Sequence, residues 1–190
     1  MAVPDDAPGR LAAVQATLLA LEVADDDQEA RRRQMLAFAA AHPDALVRTC
    51  VEGHFTASAL VVDVTHERVL VLLHAKLRRW LQPGGHVDGS GDLAASALRE
   101  ATEETGIDGL VVLGPAIDLD VHEVRPPHEA PHLHLDVRYV LQAPPDATIV
   151  GNHESTELRW VEPGELAGLG ADDGLLRLAE RGLARARSSR

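Results

Sequence analysis

A chain of 190 residues, 45% hydrophobic and 25% charged, is long enough to bury the core of one domain with some helix to spare. Its formal net charge of −12 excludes nonspecific nucleic-acid binding through a basic surface, yet admits a nucleotide whose phosphates arrive with a cation. One cysteine, Cys50, excludes an internal disulfide, and the acidic start lacks the basic residues of a signal peptide. With no uninterrupted apolar run of membrane length, a soluble cytoplasmic protein is expected.

In chain order, residues 10–50 read as helices. Leu11, Val14, Leu18 and Leu21 recur at helical spacing. The segment DDDQEARRRQMLAFAAAHPDAL opens on acids that suit a helix N-terminus and continues with good helix formers. These apolar stripes need a partner surface. Residues 1–50 are therefore expected to be a helical extension, packed on a domain over 51–190 or on the second subunit of a homodimer.

After Gly53 the texture changes. HFTASALVVDV and RVLVLLH are β-rich runs separated by THE, which predicts a hairpin or close antiparallel pair. AKLRRWLQPGG reads as a loop. A helix is expected to start near Asp92, a good N-cap, and to stop at Gly106, a good C′ residue. Strands follow in GLVVLGPAIDLDVHEV, HLHLDVRYVLQA and ELRWVE, and DGLLRLAERGLARAR closes the chain as a helix. Strands on both sides of a central helix, with helices at both ends, predict an α+β fold with a mixed sheet covered by helices.

The central helix carries Glu100, Glu103 and Glu104 at i, i+3 and i+4, on one face. Each like-charged pair destabilises a helix by about 0.2–0.5 kcal/mol. A solvated charged surface is the plain explanation. A hard divalent cation such as Mg²⁺, which takes oxygen ligands and is shared between carboxylates and phosphates, would offset the repulsion directly.

The stretch GGHVDGSGDLAASALREATEETGI, Gly84 to Ile107, resembles the signature box of the Nudix hydrolases. That box runs from a Gly through an isolated Glu to Arg-Glu-apolar-x-Glu-Glu-x-Gly-apolar. Gly85 falls on the first Gly, and Arg99, Glu100, Ala101, Glu103, Glu104, Gly106 and Ile107 fall on the rest in register. The resemblance implies an α/β/α sandwich with a mixed sheet, here with an N-terminal helical extension. It implies that Glu100, Glu103 and Glu104 hold Mg²⁺ or Mn²⁺ with the Gly85 carbonyl, and that Arg99 orients a carboxylate. The implied reaction is hydrolysis of a pyrophosphate link in a nucleoside diphosphate joined to another moiety. Its general base would be a box glutamate such as Glu103 or Glu104, or Glu154 or Glu157 from the loop GNHESTE.

One position departs from the pattern. Gly91 stands where the isolated Glu belongs, with Asp92 and Asp88 as the flanking acids that would take over its role. A negative φ is expected at this helix entrance, so a Glu at 91 should fit. Two other functions stay open: a non-catalytic sensor that binds a nucleotide, and an isomerase of isopentenyl-type diphosphates, which would want an active-site cysteine.

His132, His134 and Asp136 alternate on one face of a strand. His-x-His on a strand can chelate zinc, but neither a cysteine nor a further spaced ligand accompanies the pair. The plainer readings are strand residues facing a polar cleft or solvent, or contacts to a small-molecule diphosphate substrate, with His86 beside them. Trp80 and Trp160 read as core or cleft wall, and Cys50 as a buried small residue.

Overall fold

The computed structural model describes residues 6–189. Two helices lead, α1 (Ala7–Ala20) and α2 (Asp26–Ala41), the second capped by the Asp25 side chain, which accepts from the Gln28 N–H. Then come β1 (Gly53–Val62), β2 (Val69–His74), β3 (Trp80–Leu81), β4 (Gly84–His86) and α3 (Leu93–Thr105). The chain continues through β5 (Val111–Val112), β6 (Asp118–Val124), β7 (His132–Gln142) and β8 (Ser155–Val161) to α4 (Asp173–Ser188). Among the described residues, no helix is long and apolar enough to cross a membrane.

Strand β1 organises the sheet. It runs parallel to β7 along its whole length, from Gly53 opposite Leu133 to Val62 opposite Gln142. Its other edge is divided. The antiparallel partner expected next in sequence, β2, meets it only at Val61 and Val62. Beside Thr56, Ala57 and Ser58 the edge is taken by β4. The expected hairpin is therefore two residue pairs long, and β2 diverges to pair with β8 and β3. With β5 and β6 antiparallel to β7, the sheet is mixed.

Side-chain alternation gives the sheet two unlike faces. Phe55, Ala57, Ala59 and Val61 of β1 and Leu135, Val137, Tyr139 and Leu141 of β7 share one core with α1, α2 and α3, including Leu11, Val14, Leu18, Met35, Leu93, Ala97 and Ala101. On the opposite face, Leu60, Val62 and Val140 pack under Leu175, Leu178 and Leu183 of α4. Earlier along the same strands, that opposite face turns polar. Across β6, β7 and β1, pairing sets Asp118, Arg138 and Ser58 in one row, Asp120, Asp136 and Thr56 in the next, and His122, His134 and His54 in a third.

The middle of the polar face is an ion network. The Arg138 guanidinium, 4% exposed, reaches Asp136 at 2.7 Å, Asp120 at 3.1 Å and Asp118 at 3.4 Å. Arg177 and Arg181 of α4 bind Asp118 as well, and Arg177 also binds Asp120. Arg31 of α2 reaches Asp120 as well, at 3.9 Å, so each of these aspartates is paired, as buried charges require.

Candidate active site

Helix α3 is placed by local signals. Asp92 accepts from the Ala95 N–H at 3.0 Å, and Gly106 ends the helix with φ 66°. Leu93, Ala97 and Ala101, four residues apart, face the core. The small Ala101 is fully buried there, and its neighbours Glu100 and Glu104 are carried to the edge at β4.

Glu104 is 4% exposed, and one of its oxygens accepts the Gly84 N–H at 2.8 Å. Burial pushes its carboxyl up to about 8 against that hydrogen bond, and the charges of Glu154, Glu100 and Glu103 push the same way. Burial also raises Glu100, although Arg99 opposes it. Arg99 ties the group together: it pairs with Glu100 at 2.6 Å and with Glu103 at 3.5 Å, and donates to the His86 carbonyl at 2.8 Å. Gly85 sits against Glu100 so closely that any side chain there would strike the carboxylate.

The loop that carries Glu154 is fastened to the end of the same helix. Val150 donates to the Thr105 carbonyl at 2.8 Å, and Asn152 donates to the Glu103 carbonyl at 3.3 Å. Glu154 is thereby brought into electrostatic reach of Glu104. Glu157, on β8, is instead paired with Arg159 at 2.6 Å. Four carboxylates crowd one sheet edge with one arginine among them. That donor set suits a hard divalent ion, whose charge would offset their repulsion.

The histidines gather on the other side of β4. There Gly85 faces α3, and the next residue, His86, turns its ring toward His54 and His134, with centroids 4.8 and 5.3 Å away. His132 and His134 join the same group. Reading the sequence did not single out His54, because it arrives from β1 through a parallel pairing that leaves no local pattern. Asp136 does not join them as an open substrate contact. It is 2% exposed, and its carboxylate accepts from Thr56, Ser58 and Arg138, so the alternation that aligned it with the histidines buries it in the ion network.

Comparison with known families adds a decisive observation: a NUDIX domain model matches residues 54–180. The chain belongs to the Nudix family. A NUDIX-family hydrolase from Clostridium perfringens superposes with a TM-score of 0.53 at 23% identity, over 69% of this chain and 96% of that one. The E. coli dihydroneopterin triphosphate pyrophosphohydrolase gives 0.55 at 18% identity, over 68% and 94%. The NUDIX domain of Shewanella oneidensis NrtR, solved in complex with ADP ribose, gives 0.50 at 19% identity, over 70% and 87%. At these identities the likeness is one of fold. Comparison with curated proteins finds no significant match.

The Nudix box of this chain has a steric reason for Gly91. Its backbone is not left-handed, as expected of a helix entrance. The space beside it is nevertheless taken: a Cβ there would lie 2.7 Å from the Arg10 carbonyl oxygen and 2.8 Å from the Arg10 Cα. Arg10 also donates to the Gly89 carbonyl at 2.9 Å, so α1 is seated on the box loop. The expectation that a Glu would fit is thus overturned by backbone from the N-terminal helix. The flanking acids are committed elsewhere, Asp92 to capping α3 and Asp88 to Arg48 at 3.0 and 3.3 Å. Gly91→Glu is expected to destabilise the protein by about 1–3 kcal/mol, the usual cost of overpacking. Urea unfolding checks this, and an unchanged midpoint would mean that α1 yields without cost.

Proposed function

We propose that the protein is a Mg²⁺- or Mn²⁺-dependent hydrolase that cleaves a pyrophosphate bond in a nucleoside diphosphate linked to another moiety. The observation that carries this reading is Glu104, buried at the edge of the sheet with its carboxyl raised to about 8 amid Glu154, Glu100 and Glu103. Packing three more carboxylates around a buried one is costly unless a cation is part of the working state. ADP ribose, the compound bound to the NrtR domain, is of the proposed substrate class.

In this reading Glu100, Glu103 and Glu104, with the Gly85 carbonyl, hold the ion. When bound, the ion would neutralise pyrophosphate charge and polarise the attacked phosphoryl group. Arg99 positions Glu100 and Glu103 through its ion pairs and is itself fixed by the His86 carbonyl. Glu154 accepts a proton from the attacking water. His86, on the opposite side of β4 from Gly85 and α3, borders the substrate.

The test is a panel of nucleoside diphosphate sugars, ADP-ribose, dinucleoside polyphosphates and nucleoside triphosphates, each incubated with Mg²⁺ or Mn²⁺ and resolved by chromatography. At least one compound is expected to yield a nucleoside monophosphate and the complementary phosphorylated product. Binding without turnover across the panel would instead favour a nucleotide sensor, the reading that Gly91 supports. The isomerase finds no support from Cys50, which is buried and whose thiol burial pushes up to about 11, far from a reactive thiolate.

A further inference from the structure

We propose that His54, His132 and His134 form a binding site for a divalent transition-metal ion, zinc by ligand chemistry, distinct from the carboxylate cluster on α3. One ring nitrogen from each of the three lies within 4.8 Å of the others. The donors are all imidazole, which suits zinc and its neighbours and not the Mg²⁺ expected at the glutamates.

Two features of the cluster point to a ligand. His54 is 2% exposed, and neither of its ring nitrogens has a hydrogen-bond partner. A buried polar group in that condition costs free energy that a metal bond would recover. The Cys50 backbone lies close to the ring, but neither nitrogen meets hydrogen-bond geometry. Second, His132 Nδ1 lies 2.9 Å from the Ala130 carbonyl, so Nδ1 carries the proton and Nε2 keeps its lone pair. Metal-binding histidines are commonly oriented by such a contact.

The fold supplies the rigidity a site needs. His54 and His134 are directly paired across β1 and β7, and His132 precedes His134 by two residues on one face. Tetrahedral zinc with bonds of about 2.0–2.1 Å requires nitrogens about 3.4 Å apart, so the rings close inward by side-chain rotation. His86 stands at the rim, with its ring centroid 4.8 Å from that of His54. His122 is engaged with Asp120 at 3.0 Å and is not a ligand. Three histidines leave the fourth position to water or His86.

The experiment uses tag-free full-length protein stripped of metal by a chelator. Zinc is titrated in competition with a chromophoric chelator, and the histidine ring ¹⁵N resonances are followed by NMR. The parent is expected to bind one equivalent of zinc, with shifts of the His54, His132 and His134 rings. The Glu103→Gln/Glu104→Gln double variant should keep that site, which separates this result from the fate of the hydrolase reading. His134→Gln and His132→Gln, checked for folding by circular dichroism, should each weaken zinc binding at least about 10-fold. Ring resonances unmoved by zinc would overturn the proposal even if a variant failed to fold. So would zinc binding that the glutamate variant abolishes and the histidine variants leave intact.

Discussion

Glu104→Gln is expected to lower hydrolysis of the best substrate by at least about 100-fold, while making the metal-free protein more stable at neutral pH. The amide keeps the shape of the side chain and can still accept the Gly84 N–H, but it carries no charge for a cation. The stability effect follows from the carboxyl's position at about 8 in the folded chain, against an ordinary value of 4.5. Between these values the unfolded chain has released a proton that the folded chain still holds. Stability therefore falls as pH rises through that window, and the Gln variant loses this component. Thermal melts in EDTA at pH 4.5, 6 and 8 should show the variant's advantage growing with pH. Parallel curves for parent and variant, or a variant with parental turnover, would contradict the role given to Glu104.

A truncation that begins at Gly53 is expected to be insoluble or to lose its cooperative unfolding transition. Val14, Leu18 and Met35 are fully buried, Leu11 and Leu21 nearly so, in the same core as Phe55 and Val137. Each such side chain contributes about 1.5–3 kcal/mol by burial, so their combined loss is comparable with the whole stability of a domain, about 5–15 kcal/mol. Gln28 adds a second reason. It is 1% exposed, and its amide both donates to the Leu119 carbonyl at 3.0 Å and accepts the Leu119 N–H at 2.9 Å. It pairs with the backbone of β6 as a neighbouring strand would, and its removal leaves those groups without their partner. The purified truncation would be examined by circular dichroism and thermal melting; a soluble, cooperatively folded product with parental activity would show that the helices are dispensable.

What could be read from the sequence was what is encoded locally. The ends of α3 are written in Asp92 and Gly106, because a cap depends on a few neighbouring residues. The glutamate face needs only the period of a helix, and the family resemblance followed from residues in one continuous stretch. Long-range pairing was not legible in the same way. The β1–β2 hairpin was expected from adjacency, yet β4 takes most of that edge and β7 the other. The same parallel pairing brings His54 to His134, which is why the histidine pair looked short of a ligand. Asp136 was placed on the correct face of its strand, but whether that face opens to substrate or closes on an arginine depends on partners that β1 brings by pairing and on the Arg138 side chain. Gly91 looked like a missing carboxylate until Arg10 was found against it.

The most direct test of a cation-binding carboxylate face on α3 is a Mn²⁺ titration followed by electron paramagnetic resonance at pH 7.5. The parent is compared with Glu103→Gln/Glu104→Gln and with His134→Gln. The parent and the histidine variant are expected to bind Mn²⁺ alike, and the double glutamine variant to bind it at least about 10-fold more weakly. Equal Mn²⁺ affinity in the parent and the glutamine variant would mean that these glutamates do not hold the ion.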